Sequence, residues 1–128
     1  MILSSIIGSF MDINDKIEVD LEEAKKLVAK GSEIMLFERS YAEVQVLSET
    51  FGVHEDKVRI IDMNDVQTMH MHYGEEEDIK KTAGKFSNAV IVCQHGNTSR
   101  MMAKMLAKEG VRAYSLIGGT VGISGHEF

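Results

Sequence analysis

Short, mainly apolar runs punctuate the chain at Ile34 to Phe37, Val58 to Ile61, Ala89 to Val92 and Ala113 to Ile117, with a briefer one at Ile17 to Val19. Runs of this length with little polar alternation suit parallel strands covered on both faces. Between them the pattern turns helical. Asp20 and Glu23 make a capping box ahead of Leu21, Ala24, Leu27 and Val28, and Gly31 closes that helix. Ser40 and Glu43 repeat the device before Val44, Leu47 and Phe51, with Gly52 after them. Glu75 to Lys85 starts acidic and ends basic, as the helix dipole favours, and its pairs Glu76–Lys80 and Glu77–Lys81 read as a solvated helix face. Ser99 to Glu109 carries Met101, Met102, Met105 and Leu106 on one side and stops at Gly110. That methionine stripe reads as core packing rather than as a ligand groove. Strands alternating with helices predict an open α/β sheet, mostly parallel.

Asp62 to Tyr73 is the least legible stretch. His70 and His72 would share one side of a strand there, a spacing that is a weak metal signal without a third ligand, so no metal site is expected. Asp62 and Asp65 read either as neighbours of the site or as turn and cap residues.

The 128 residues fit one domain, 1–128, with 1–15 either packed on it or a loosely attached segment. Composition narrows the function. Apolar residues make up 44% and charged ones 27%, as in a globular protein, and the net charge of −6 offers no basic field for nucleic acid or an anionic membrane. No apolar run approaches the ~20 residues of a membrane-spanning helix. MILSSIIGSF lacks a basic leader and a small-residue cleavage site, so it is not read as a signal peptide. A single cysteine forms no internal disulfide, so a cytoplasmic location is the expectation and no resolving thiol is at hand.

That cysteine stands where chemistry is expected. Cys93 follows the run Ala89 to Val92 at once, and a helix starts about six residues later with Thr98 or Ser99 as its cap. In open α/β sheets ligands bind at the carboxyl ends of strands. The intervening Gln94, His95, Gly96, Asn97, Thr98 and Ser99 predict a loop whose N–H groups converge on the sulfur, with Gly96 and Asn97 tolerating positive φ. A helix terminus alone contributes ~0.3–1 kcal/mol, so direct N–H contacts must carry the larger share of any stabilisation of a thiolate. His95 is placed to orient an anion or simply faces solvent. Arg100 either adds positive potential near a donor or is a surface arginine.

At these residues the chain resembles the rhodanese superfamily. Cys93, Gly96 and Ser99 fit its active-site pattern C-x-x-G-x-x-S, and the fuller C-x-H-G-N-x-S is similar to the loop of some small thiosulfate sulfurtransferases. Downstream, Leu116, Gly118 and Gly119 match the pattern L-x-G-G, with Ile123 where the family often has tryptophan. Thr98 stands where the family often has arginine, and Phe37-Glu38-Arg39 where it often has Asp-Val-Arg. The resemblance implies a rhodanese-like, three-layer α/β/α fold and a sulfurtransferase. Cys93 would take a sulfane sulfur from a donor such as thiosulfate as a persulfide, then pass it to a thiol or cyanide, with Gln94 to Arg100 binding substrate and no cofactor required. A protein is a further candidate as sulfur acceptor. The alternatives are a non-catalytic rhodanese-like binding module and a cysteine phosphatase or arsenate reductase. The phosphatase pattern needs arginine six residues after the cysteine, where Ser99 stands and Arg100 comes one residue late.

Overall fold

A computed structural model describes residues 17–37, 40–71 and 75–128. The segment 1–15 lies outside them. Five strands, β1 (Glu18–Val19), β2 (Glu33–Leu36), β3 (Val58–Ile60), β4 (Ala89–Val92) and β5 (Ala113–Leu116), form one sheet in the order β1-β5-β4-β2-β3. Every pairing is parallel. All four residues of β4 are fully buried, because this strand has neighbours on both edges and helices over both faces. That position explains its unbroken apolar sequence. Edge strand β3 differs, with Arg59 and Ile60 exposed.

Among the described residues, six α-helices cover the sheet: α1 (Leu21–Ala29), α2 (Tyr41–Phe51), α3 (Met63–Met71), α4 (Glu76–Gly84), α5 (Asn97–Lys108) and α6 (Gly119–Ser124). Side chains alternate across a strand. Ile34, Leu36, Val90 and Val92 therefore face α1 and α2, where Ala24, Val44 and Leu47 complete one core, with Ile123 of α6 packed against it. Met35, Ala89 and Ile91 enter the opposite core with Met69 of α3, Ala83 of α4, Phe86, and Met102 and Leu106 of α5. The result is a three-layer α/β/α architecture.

Several expectations need correction. Asp62 to Tyr73 holds helix α3, not a strand. Its Met69 is 1% exposed in the second core, and Asp62 Oδ1 accepts the Asn64 N–H at 2.8 Å where the helix begins. Tertiary burial of Met69 sets this element, which shows only weak periodicity. His70 is thus helical, His72 lies outside the described residues, and Asp65 pairs with Lys85 at 3.1 Å. Asp20 caps α1 by accepting the Glu23 N–H at 2.8 Å. Ser40 makes no such side-chain bond at the start of α2, where the Glu43 N–H donates to the Ser40 carbonyl at 3.2 Å and the Glu43 carboxylate accepts from Thr120. Helix α5 begins at Asn97, two residues earlier than predicted, with Gly96 rather than Thr98 or Ser99 as its N-cap. Among the described residues, no helix is long and apolar enough to cross a membrane.

Leu36 is fully buried at the centre of the first core. Leu36→Ala is expected to lower unfolding stability by about 2–5 kcal/mol, read from the urea midpoint.

Candidate active site

The carboxyl end of β4 delivers Cys93 into the space between the sheet and the start of α5. Its side chain is 5% exposed. Three groups from the following loop and the first turn of α5 meet its sulfur: the Gly96 N–H at 3.1 Å, the Ser99 N–H at 3.4 Å and the Ser99 hydroxyl at 3.3 Å. The cradle is narrower than the loop sequence predicts, since among the described contacts only Gly96 and Ser99 give their N–H groups to sulfur. Gly96 achieves its contact at φ +94, and a Cβ there would stand 2.9 Å from the Gly118 nitrogen. The position therefore requires glycine on both conformational and steric grounds.

Ser99 extends the arrangement inward. Its hydroxyl lies 2.7 Å from that of Ser115 on β5, and both residues are fully buried. With a neutral thiol, the S–H can donate to Ser99. With a thiolate, Ser115 can donate to Ser99, and Ser99 to sulfur. Reorienting two hydroxyls thus matches either charge state without moving a heavy atom. Ser115 went unrecognised in the sequence, although a serine inside an otherwise apolar strand is a visible interruption.

The opening of the loop is clamped from the other side by α6. Thr120 N–H donates to the Cys93 carbonyl and Val121 N–H to that of Gln94, each at 3.0 Å. Such closeness requires glycine before Thr120: Gly119 has φ +60, and a Cβ there would overlap the Cys93 carbonyl oxygen and stand 2.5 Å from that of Gln94. The Thr120 hydroxyl donates to Glu43 Oε2 at 2.9 Å, tying the clamp to α2. Glu43 is fully buried, while its Oε1 and the Ser40 hydroxyl have no hydrogen-bond partner among the described residues. Sequence spacing gave Glu43 a capping role and so concealed this one.

An open cavity of about 170 Å³ leads to the sulfur, lined by Phe37, Gln94, His95, Asn97 and Thr98. Gln94 Nε2 also donates to Glu127 Oε2 at 3.3 Å and to the Phe128 carbonyl at 3.1 Å, and His95 Nε2 lies 3.2 Å from Glu127 Oε2. The chain's last described residues therefore rest on the loop's outer side. Arg100 does not line the cavity; its Nη1 lies 3.8 Å from Glu18 Oε1 at the β1 edge. One residue along a helix turns a side chain by about 100°, which separates Arg100 from Ser99. Among the described residues, no three or more His, Cys, Asp or Glu side chains gather as a metal site.

Gly119→Ala should displace the Cys93 carbonyl and slow alkylation of Cys93 by iodoacetamide several-fold. Gly125→Ala, also at positive φ but with open space around it, provides the comparison for backbone strain alone. Comparison of the chain with protein-family models, with curated proteins and with solved structures gave no match.

Proposed function

We propose that the protein is a sulfurtransferase that carries a sulfane sulfur as a persulfide on Cys93. The observation that carries this reading is the convergence of two backbone N–H groups and a hydroxyl on one sulfur at the foot of an open cavity. Donors fixed around a reacting atom stabilise charge without reorganising during the reaction.

In the first half-reaction the Cys93 thiolate attacks the outer sulfur of a donor such as thiosulfate. The donor's S–S bond breaks, sulfite leaves with the electron pair, and Cys93 holds a persulfide anion. In the second half-reaction a thiol or cyanide attacks the outer sulfur, and the bond to Cys93 breaks to regenerate the thiolate. One cysteine is enough for the cycle. The resemblance to the rhodanese loop supports the same chemistry. Phosphoryl transfer is less well supported, because Ser99 occupies the sixth position after Cys93 and Arg100 pairs toward Glu18.

Brief exposure to thiosulfate should add one sulfur atom to the intact protein, read by mass spectrometry, and cyanide should remove it. Cys93→Ser is expected to remain folded and gain none; sulfur uptake by that variant would overturn the mechanism. Ser99→Ala, which removes the hydroxyl that would donate to a Cys93 thiolate, should lower the rate of loading about tenfold or more.

A further inference from the structure

Beyond α6 the chain turns back toward the Cys93 loop. Ser124 holds the start of that turn, its hydroxyl donating to the His126 carbonyl at 3.1 Å and accepting the His126 N–H at 3.4 Å. The rings of His126 and Phe128 lie against each other, with centroids 5.0 Å apart. Glu127, between them in sequence, reaches the loop. Its Oε2 accepts from Gln94 Nε2 at 3.3 Å and lies 3.2 Å from His95 Nε2, while the Phe128 carbonyl accepts from Gln94 Nε2 at 3.1 Å. Gln94 is thus gripped twice, its own carbonyl by the Val121 N–H and its side-chain amide by the turn after α6.

Both side chains that hold Glu127 also line the open cavity above Cys93. A carboxylate therefore sits on two donors beside the approach to the sulfur, the kind of groups that an arriving anion would use. An anion finds these donors taken and meets a negative charge next to them. A neutral molecule meets neither obstacle. The contact is also easily opened: the Glu127 side chain is 69% exposed and that of His95 49%, and exposed ion pairs contribute little to stability. A turn held by a few solvent-exposed bonds can lift without unfolding the helix before it.

We infer that the turn after α6 is an autoinhibitory strap. Its Glu127 carboxylate stands in for an anion on Gln94 and His95, so the Cys93 cavity holds back anions while the strap is down. Displacing Glu127 opens the approach to them; neutral molecules need no displacement. The device governs access to Cys93 and goes beyond the sulfur-transfer reading, on which it does not depend.

The test compares alkylation of Cys93 in the full chain by iodoacetate, an anion, and by iodoacetamide, its neutral counterpart of similar size. Rates are followed by intact-protein mass spectrometry at low ionic strength, where charge effects are least screened. Glu127→Gln removes the charge and Glu127→Ala the whole carboxyl group. Glu109→Gln, at the residue capping the far end of α5, removes an equal charge elsewhere. In both Glu127 variants the iodoacetate-to-iodoacetamide ratio should rise at least about threefold, as expected for one charge met a few ångströms away in a water-like dielectric. The iodoacetamide rate itself should stay close to that of the unaltered chain, and Glu109→Gln should leave the ratio where it was. An unchanged ratio in the Glu127 variants overturns the strap, whether both rates hold steady or both rise together as under a plain steric cover. A gain of the same size in Glu109→Gln overturns it too, because net charge would then be enough. Neither result bears on whether Cys93 carries a persulfide.

Discussion

Two peptide carbonyls, those of Cys93 and Gln94, emerge from the end of a fully buried strand and must find donors within the protein. The first turn of α6 supplies them through the N–H groups of Thr120 and Val121. Because the helix approaches the loop backbone so closely, Gly119 has no room for a side chain, and the neighbouring Gly96 and Gly118 also take positive φ. Once the carbonyls are fixed on one side, the N–H groups of the next turn point the other way, toward the Cys93 sulfur. The surroundings of Cys93 therefore follow from satisfying a strand end, with β5 and α6 as necessary partners of β4.

Glu43 gives this clamp its anchor in the layer on the other side of the loop. Burying a carboxyl is costly, and such a group needs compensating partners. Here the bonded oxygen holds Thr120, whose own N–H holds the Cys93 carbonyl. Helix α2 is in this way linked to the Cys93 loop through Thr120, with no side chain of α2 among the described residues lining the cavity above the sulfur.

What the amino-acid pattern reveals follows the locality of each constraint. The buried strands are legible because burial on both faces leaves unbroken apolar runs, clearest in Ala89 to Val92. The loop is legible because Cys93, Gly96 and Ser99 lie close together in sequence. Contacts across long separations are not: Glu43 and Thr120 meet over 77 residues, and Ser99 and Ser115 over 16. Helix α3 escapes notice because its apolar positions are few and its place depends on Met69 reaching a core built by other elements. The methionines of α5 show a single stripe in sequence, and only their neighbours decide that Met102 is core and Met101 stays exposed.

For the proposed persulfide on Cys93, the depth of the residue bears on regiochemistry. A persulfide offers two electrophilic sulfurs, and displacement at either requires the nucleophile to approach in line with the S–S bond. At the outer sulfur that line runs through the open cavity, and attack moves the sulfur onward. At the inner sulfur it runs from within the protein, through space held by the Gly96 and Ser99 amides and the Ser99 hydroxyl. Burial of the cysteine would thus steer an acceptor away from forming a mixed disulfide with loss of hydrosulfide, an outcome the chain has no second thiol to reverse.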